Sequence, residues 1–432
     1  MMVNILNSIS ITLVLQFFTC LFLCIFFIFI VKKSAVNIYD PLFYFFVIFL
    51  IPAIFGLFLS GIFWGTFTYF LICSLIFVYV IIILLFRPVR DVNLEDNLPK
   101  DFQFILLFFF LMITISNFYI NVYLSGNIPL FSTQGVENRF LATQNSRVLY
   151  WMNLSVNTIP LVLFAISSYR RVRLFAFFSF IVAFIISLMM ASKGAILSFV
   201  IMEILVLFVS KARNDVKRFR YHKKISYLII ILTMLVIPIY LVKIGVGHGS
   251  DEVIRTIIVK LLIRFFYAFD QLIPASQLDL LNNQYMPDSQ IGLNLIQYQF
   301  LSYYKSISGM SVEYNSIGEF IIYKLYGQTY SSPHAYPNSN LILECLLTSG
   351  IILGSIFFII EVSAFLFMRK LVLSKSINTF SIIFVVAIVF APYDIFLSGY
   401  EWINRFIFLT VYIFISWAIY YLLANVSQRM KL

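Results

Sequence analysis

The chain is predicted to be an all-α polytopic membrane protein, and three observations predict that class. Of its 432 residues, 62% are hydrophobic and only 11% are charged, a balance that excludes a soluble globular domain. The mean hydropathy is +0.97, and apolar runs of the length that a bilayer core about 30 Å thick requires, about 20 residues each, recur throughout. The lysines and arginines gather in the short connections between those runs.

Taken in order, the spans fall near 9–31, 42–59, 64–86, 102–122, 151–168, 174–191, 195–209, 226–244, 341–367, 379–397 and 406–424. That makes about eleven transmembrane helices in a single integral membrane domain of residues 1–432. Most of the 30 basic residues lie in six places: Lys32-Lys33, Arg87/Arg90/Lys100, Arg170/Arg171/Arg173, the run KARNDVKRFRYHKK (211–224), Arg369/Lys370/Lys375, and Arg429/Lys431. One topology puts all six on a single side, which the positive-inside rule makes cytoplasmic, with the N-terminus outside and the C-terminus inside. The net charge of +11 is therefore a topology signal, and no nucleic-acid partner is expected. Cys20, Cys24, Cys73 and Cys345 sit in apolar spans, so no disulfide is expected. The first span lacks a basic n-region and is predicted to be a retained helix.

Residues 174–209 test this topology. One span there would place two basic loops on opposite faces, so the charge pattern predicts a tight hairpin turning at Ser192-Lys193-Gly194. At 1.5 Å per residue the arm 195–209 covers only about 22 Å. The turn is then expected below the outer surface in a protein-lined recess, with Lys193 at its floor.

Two external segments are long. The first is 123–150, with Arg139 and Arg147; the second, 245–338, carries His248, Arg255, Lys260, Arg264 and His334. Within the second, DEVIRTIIVKLLIRFFYAF is too apolar for free solvent and is predicted to lie along the membrane or against the spans. Lys260 and Arg264 are four apart and share a helix face, whereas Arg255 falls about 180° round from Arg264. A continuous helix therefore cannot aim all three into one site.

Four stretches resemble the bacterial O-antigen ligase and polymerase superfamily. SPHAYPNSNLILECLLTSGIILGSIFF resembles the segment in which a His/Asn-bearing external loop re-enters the membrane before a Gly-rich helix. MMASKGAILSF resembles a span-end motif that usually carries Ser-Arg-Gly, with Lys193 in place of the arginine. SGNIPLFSTQGVENRF and LLIRFFYAFDQLIPASQL resemble the first external loop and the arginine-bearing helix of Wzy-type repeat-unit polymerases. The patches cover parts of residues 124–354.

The resemblance implies a GT-C-like, metal-independent glycosyltransferase in the bacterial inner membrane, with its active site on the periplasmic side. Such an enzyme transfers a growing glycan from undecaprenyl pyrophosphate to the next lipid-linked repeat unit of O-antigen lipopolysaccharide or capsule. Its partners would be that lipid-linked oligosaccharide, the membrane lipid, a chain-length regulator and a flippase; no cofactor is implied. The chemistry suits the residues. Fixed cations can stabilise a departing lipid pyrophosphate, and a histidine has a suitable pKa to take the proton of an acceptor hydroxyl. The external loops hold no Asp-x-Asp or His-rich metal cluster, so no metal ligands are assigned. The candidate catalytic residues are His334, Arg264 and Lys193. The candidate substrate-binding residues are Arg139, Arg255, Lys260, Asn338, Asn340 and Glu344.

Each has a plainer reading. His334 stands in a Ser/Pro/Asn-rich turn where a histidine is often only a loop residue, and His248 reads as part of a linker. Lys193 can snorkel to the interface, and a lysine cannot bind phosphate bidentately as arginine does. Arg264 can anchor an interfacial helix, and Arg139 and Arg147 can pair with Glu137 or contact sugar. Glu203, Glu344 and Glu361 fall within spans, where an ionisable residue is a functional hypothesis by default; Glu203 and Glu361 read as structural or protonated. The rival classes are a ligase, a lipid-linked oligosaccharide flippase, and a structural subunit.

Overall fold

The computed structural model describes residues 11–45, 66–85, 94–126, 147–190, 194–241, 341–374, 376–397 and 399–429, together with Ile128 and Phe131. The described chain is helical: α1 (Ile11–Ser34), α2 (Pro41–Phe45), α3 (Thr66–Leu85), α4 (Lys100–Ser125), α5 (Arg147–Val156), α6 (Ile159–Ile166), α7 (Arg170–Met189), α8 (Gly194–Ala212), α9 (Val216–Leu241), α10 (Leu341–Ser374), α11 (Ser381–Leu397) and α12 (Gly399–Arg429). Among the described residues there is no strand, only an isolated parallel bridge between Asp96 and Ile377.

Among the described residues, four helical stretches are long and apolar enough to cross a membrane: Lys100–Tyr123, Val148–Ile166 (α5 and α6 together), Arg170–Met189 and Trp402–Val426. Two of them, Arg170–Met189 and Trp402–Val426, leave most of their apolar window unburied. Only 22% of the apolar window of Arg170–Met189 is buried, while Thr114, Asn117, Asn121, Ser179, Glu203 and His222 are buried. Many apolar side chains thus face outward while these polar ones are buried, a pattern that suits lipid rather than water.

The chain divides into two compact units. The first comprises residues 1–88, 261–367 and 391–402. There α1 ends on Lys32 and Lys33, cations that suit the negative end of a helix dipole. A tight turn follows. Asp40 accepts from the amides of Val36 (2.9 Å) and Leu42 (3.0 Å), and Pro41 opens α2 where its missing N–H costs nothing. Helix α1 packs on α3, Tyr79 of α3 meets Phe358 of α10 at 6.5 Å between ring centroids, and Trp402 Nε1 donates to Glu361 at 2.8 Å. Glu361, read as structural or protonated, thus has an indole partner.

The second unit comprises residues 89–260, 368–390 and 403–432. Its centre is α6, with Ile159, Pro160, Leu161, Val162, Leu163, Ala165 and Ile166 all buried; a helix apolar all round belongs in a core. Helices α4, α7 and α8 pack around it. The predicted span 151–168 is not one continuous helix. It is interrupted at Asn157-Thr158, because Pro160 has no N–H to return to Val156.

Helix ends also move relative to expectation. Helix α8 runs to Ala212, making 19 residues, or about 28 Å. It therefore nearly spans the hydrocarbon core, and a deep outer recess is no longer required by length. The basic run 211–224 is not a loop: only residues 213–215 connect α8 to α9, and α9 begins at Val216. Lysine and arginine are good helix formers, so a charged stretch extends the helix beyond the apolar part. In the same way, α10 continues through Arg369 and Lys370.

Candidate functional site

The predicted catalytic trio falls outside the described residues: Lys193, Arg264 and His334 all do, as do Arg139, Arg255, Lys260, Asn338, Asn340 and His248. Glu344 lies in the first turn of α10, with its side chain outside the described residues. The segment 245–338, expected to be external, is wholly outside them; of 123–150, the ends are the last residues of α4 and the first of α5. Gly126, in the left-handed conformation at φ 67°, terminates α4 there.

The helices flanking the Lys193 motif are described. Helix α7 ends at Met189 and α8 starts at Gly194. The two are in contact, and Phe199 sits 4.5 Å from both Phe180 and Phe184, ring centroid to centroid, in edge-on geometry. The two arms of the predicted hairpin are thus in contact; of its turn at Ser192-Lys193-Gly194, Ser192 and Lys193 lie outside the described residues.

At the other end of α8 lies a polar centre. Helix α8 closes with a Schellman turn: Asn214 takes a left-handed φ of 55°, its amide bonds Lys211 O at 3.3 Å, and Asp215 N bonds Ser210 O at 2.8 Å. Asp215 then caps α9, its Oδ1 accepting from Arg218 N at 3.0 Å. This reversal brings Glu203 and His222 together. His222 Nδ1 lies 3.0 Å from Glu203 Oε2 and 3.3 Å from Oε1, with both side chains buried. Ser226 Oγ donates to His222 O at 2.9 Å, with Glu203 Oε2 farther away at 3.4 Å. The hydroxyl has one hydrogen and the carbonyl holds it. This is therefore a carboxylate–imidazole pair that can share a proton, not a nucleophilic triad, because the serine does not meet the imidazole.

Two arginines from the same turn close the end of α6. Arg213 donates through Nη1 to Ile166 O (2.7 Å) and through Nε (2.9 Å) and Nη2 to Leu94 O. Arg218 donates to Ala165 O (2.9 Å) and Phe164 O (2.6 Å), and Arg173 to Ser167 O (3.3 Å). Ser167 N takes Leu163 O at 3.0 Å. All of the orphan carbonyls at this buried helix end are therefore satisfied, by cations placed at the negative pole of the helix dipole. Burial lowers the pKa of both guanidiniums; Arg218, with Arg173 and Arg213 beside it, falls to about 10. Both remain cationic near neutrality.

Asp96 completes the centre. It accepts from Leu98 N (3.0 Å), Gln103 Nε2 (3.1 Å) and Ser168 N (2.9 Å). Asn97 N and Ile377 N exchange bonds with Ile377 O (3.0 Å) and Glu95 O (2.8 Å). Residues 94–98 are thereby held from three directions.

Sequence reasoning left out His222, the third histidine. The signal was present: residues 203 and 222 flank the turn at 213–215, ten residues before it and seven after it, and a carboxylate in a span needs a partner. On the far half of α4, Thr114 Oγ1 donates to Asn153 Oδ1 at 2.9 Å, tying α4 to α5, and Asn121 Nδ2 donates to Asn117 O at 2.7 Å. The Thr114–Asn153 contact joins two helices where the hydrophobic effect cannot.

No family model, curated protein or solved structure matches the chain.

Proposed function

We propose that the protein is a repeat-unit polymerase of the Wzy type, with about eleven spans, a GT-C-like architecture, an external N-terminus and a cytoplasmic C-terminus. The observation that carries this reading is the pair of ends of α8. One end meets α7 across the MMASKGAILSF motif, and the other turns through the arginine-rich centre at 213–218. A motif expected to serve the external reaction and a basic turn expected in the cytoplasm therefore terminate the same helix at opposite ends, as the charge-derived topology demands.

In the proposed reaction a hydroxyl oxygen of the lipid-linked acceptor unit attacks the anomeric carbon of the donor glycan. A new C–O bond forms, the bond from that carbon to undecaprenyl pyrophosphate breaks, and the pyrophosphate leaves with the electron pair. His334 receives the acceptor proton. Arg264 and Lys193 stabilise the developing charge on the leaving group, and Arg139, Arg255, Lys260, Asn338, Asn340 and Glu344 bind the two substrates.

The test is elongation of synthetic lipid-linked repeat units by the purified protein with EDTA present. Chains of increasing length support the reading, and loss of activity in EDTA overturns the metal-independent mechanism. In cells, deletion separates the rivals. Loss of a polymerase leaves single repeat units on the final carrier, whereas loss of a ligase leaves long chains on undecaprenyl pyrophosphate. The flippase reading draws on the buried carboxylates Glu203 and Glu361; it predicts transport of lipid-linked units without elongation.

A further inference from the structure

We propose that the first three turns of α9 are a binding surface for the headgroups of acidic phospholipids in the surrounding bilayer. This rests on the membrane reading of the chain alone and not on the reaction. Helix α9 buries one face, with His222 buried against Glu203 and Arg218 turned to the end of α6. At 100° per residue, the opposite face carries Lys217, Arg220, Tyr221, Lys224, Leu228 and Ile231 within about 60° of its centre. All are exposed, and Lys223 and Tyr227 flank them, also exposed.

The order along this face decides the partner. Cations come first (Lys217, Arg220, Lys224), tyrosines lie among and just after them (Tyr221, Tyr227), and aliphatic side chains follow (Leu228 at 57% exposed, Ile231 at 58%). That is the order in which a bilayer presents phosphate, interface and hydrocarbon. Leu228 is about 6 Å along the axis from Lys224 and about 16 Å from Lys217. A headgroup layer only about 5–8 Å deep therefore meets Lys224 and Lys223; Arg220, about 12 Å from Leu228, comes to its outer edge only through the length of its side chain, and Lys217 stands beyond it.

The start of α7 repeats the pattern, with exposed Arg170 and Arg171 ahead of exposed Leu174 and Phe178. Two features commit the surface to lipid rather than to a soluble acidic partner: the cations run without a gap into side chains that only hydrocarbon would cover, and opposing charge is scarce. Asp215, the nearest carboxylate on this element, is spent capping Arg218. The buried guanidiniums of Arg213 and Arg218 fix the turn, so the exposed cations are positioned before any lipid arrives.

The experiment uses the full chain purified in neutral detergent and titrated with phosphatidylglycerol or phosphatidylcholine, with retained lipid read by native mass spectrometry. A juxtamembrane cation contributes roughly a fivefold gain in affinity for acidic lipid. The combined variant Arg220→Gln/Lys223→Gln/Lys224→Gln should accordingly lose on the order of a hundredfold for phosphatidylglycerol, with phosphatidylcholine retention unchanged. Lys217→Gln should lose much less than Lys224→Gln, and salt should weaken wild-type retention. Replacing the same three positions with Lys, Arg and Arg should preserve it, which separates charge from folding. Equal retention of the two lipids, or an unaltered triple variant, overturns the proposal. So does displacement of phosphatidylglycerol by equimolar inorganic phosphate, or tighter capture of a soluble acidic peptide than of lipid.

Discussion

Helix α8 is one arm of two hairpins, and they are held together by opposite means. Against α7 it offers Phe199 to Phe180 and Phe184, an aromatic contact. Against α9 it offers Glu203 to His222, in a joint completed by the Schellman turn and the arginine caps on α6. Between helices in a bilayer, aromatic packing gains little over packing against lipid tails, whereas a buried hydrogen-bonded pair has no comparable partner in lipid. The α8–α9 joint is thus fixed by specific chemistry. The described contacts of the α7–α8 joint are aromatic.

The comparison can be broken in order of expected effect. The largest belongs to the proposed catalytic side: His334→Ala should lower elongation about 10²–10⁴-fold with protein level unchanged, and His334→Gln should be nearly as inactive. Normal elongation by the glutamine variant would make the histidine a spacer. Next, Arg218→Ala strands the carbonyls of Phe164 and Ala165, at about 1–3 kcal/mol each, and should destabilise the protein by roughly 3 kcal/mol in detergent unfolding. Arg218→Lys should recover about half, because an ammonium reaches one carbonyl well; full stability in the alanine variant would show that the caps are dispensable.

Glu203→Ala leaves His222 buried without its acceptor and should cost about 2 kcal/mol, whereas Glu203→Gln, which still accepts, should cost less than half of that. Phe199→Leu keeps an apolar contact and should cost under about 1.5 kcal/mol. If the phenylalanine change proves costlier than Glu203→Ala, the ranking of the two joints is reversed. The smallest effect is expected from Lys193→Arg, which restores the residue common to the resembling motif. Its elongation rate should match the wild type, and a large loss would remove Lys193 from phosphate binding.

Hydropathy alone was enough to find most helices, because the bilayer's thickness imposes their length. It was least informative at their ends. Lys217 to Lys224 read as a loop by charge, yet they are helical, since charge sets where the membrane stops and not where the helix stops. The break before Pro160 was legible but overridden by the apolar run around it. The Glu203–His222 pair needed the position of a three-residue turn, and a turn closed by Asn214 in the left-handed region carries little pattern of its own. The proposed site residues were singled out by chemistry and motif, and no periodicity links Arg264 to His334 across such a sequence distance.

The parallel bridge at Asp96 has a consequence for biosynthesis. Residues 94–98 emerge from the ribosome before α4 through α9, yet Glu95 O and Asn97 N are bonded to Ile377, beyond α10. Throughout synthesis of the intervening chain these groups must be served by water or by the insertion machinery. Closing so long a loop comes late because its entropy is lost before any contact rewards it. A nascent chain arrested before Ile377 should therefore hold α4 through α9 as a protease-sensitive intermediate, locked only when the last helices arrive.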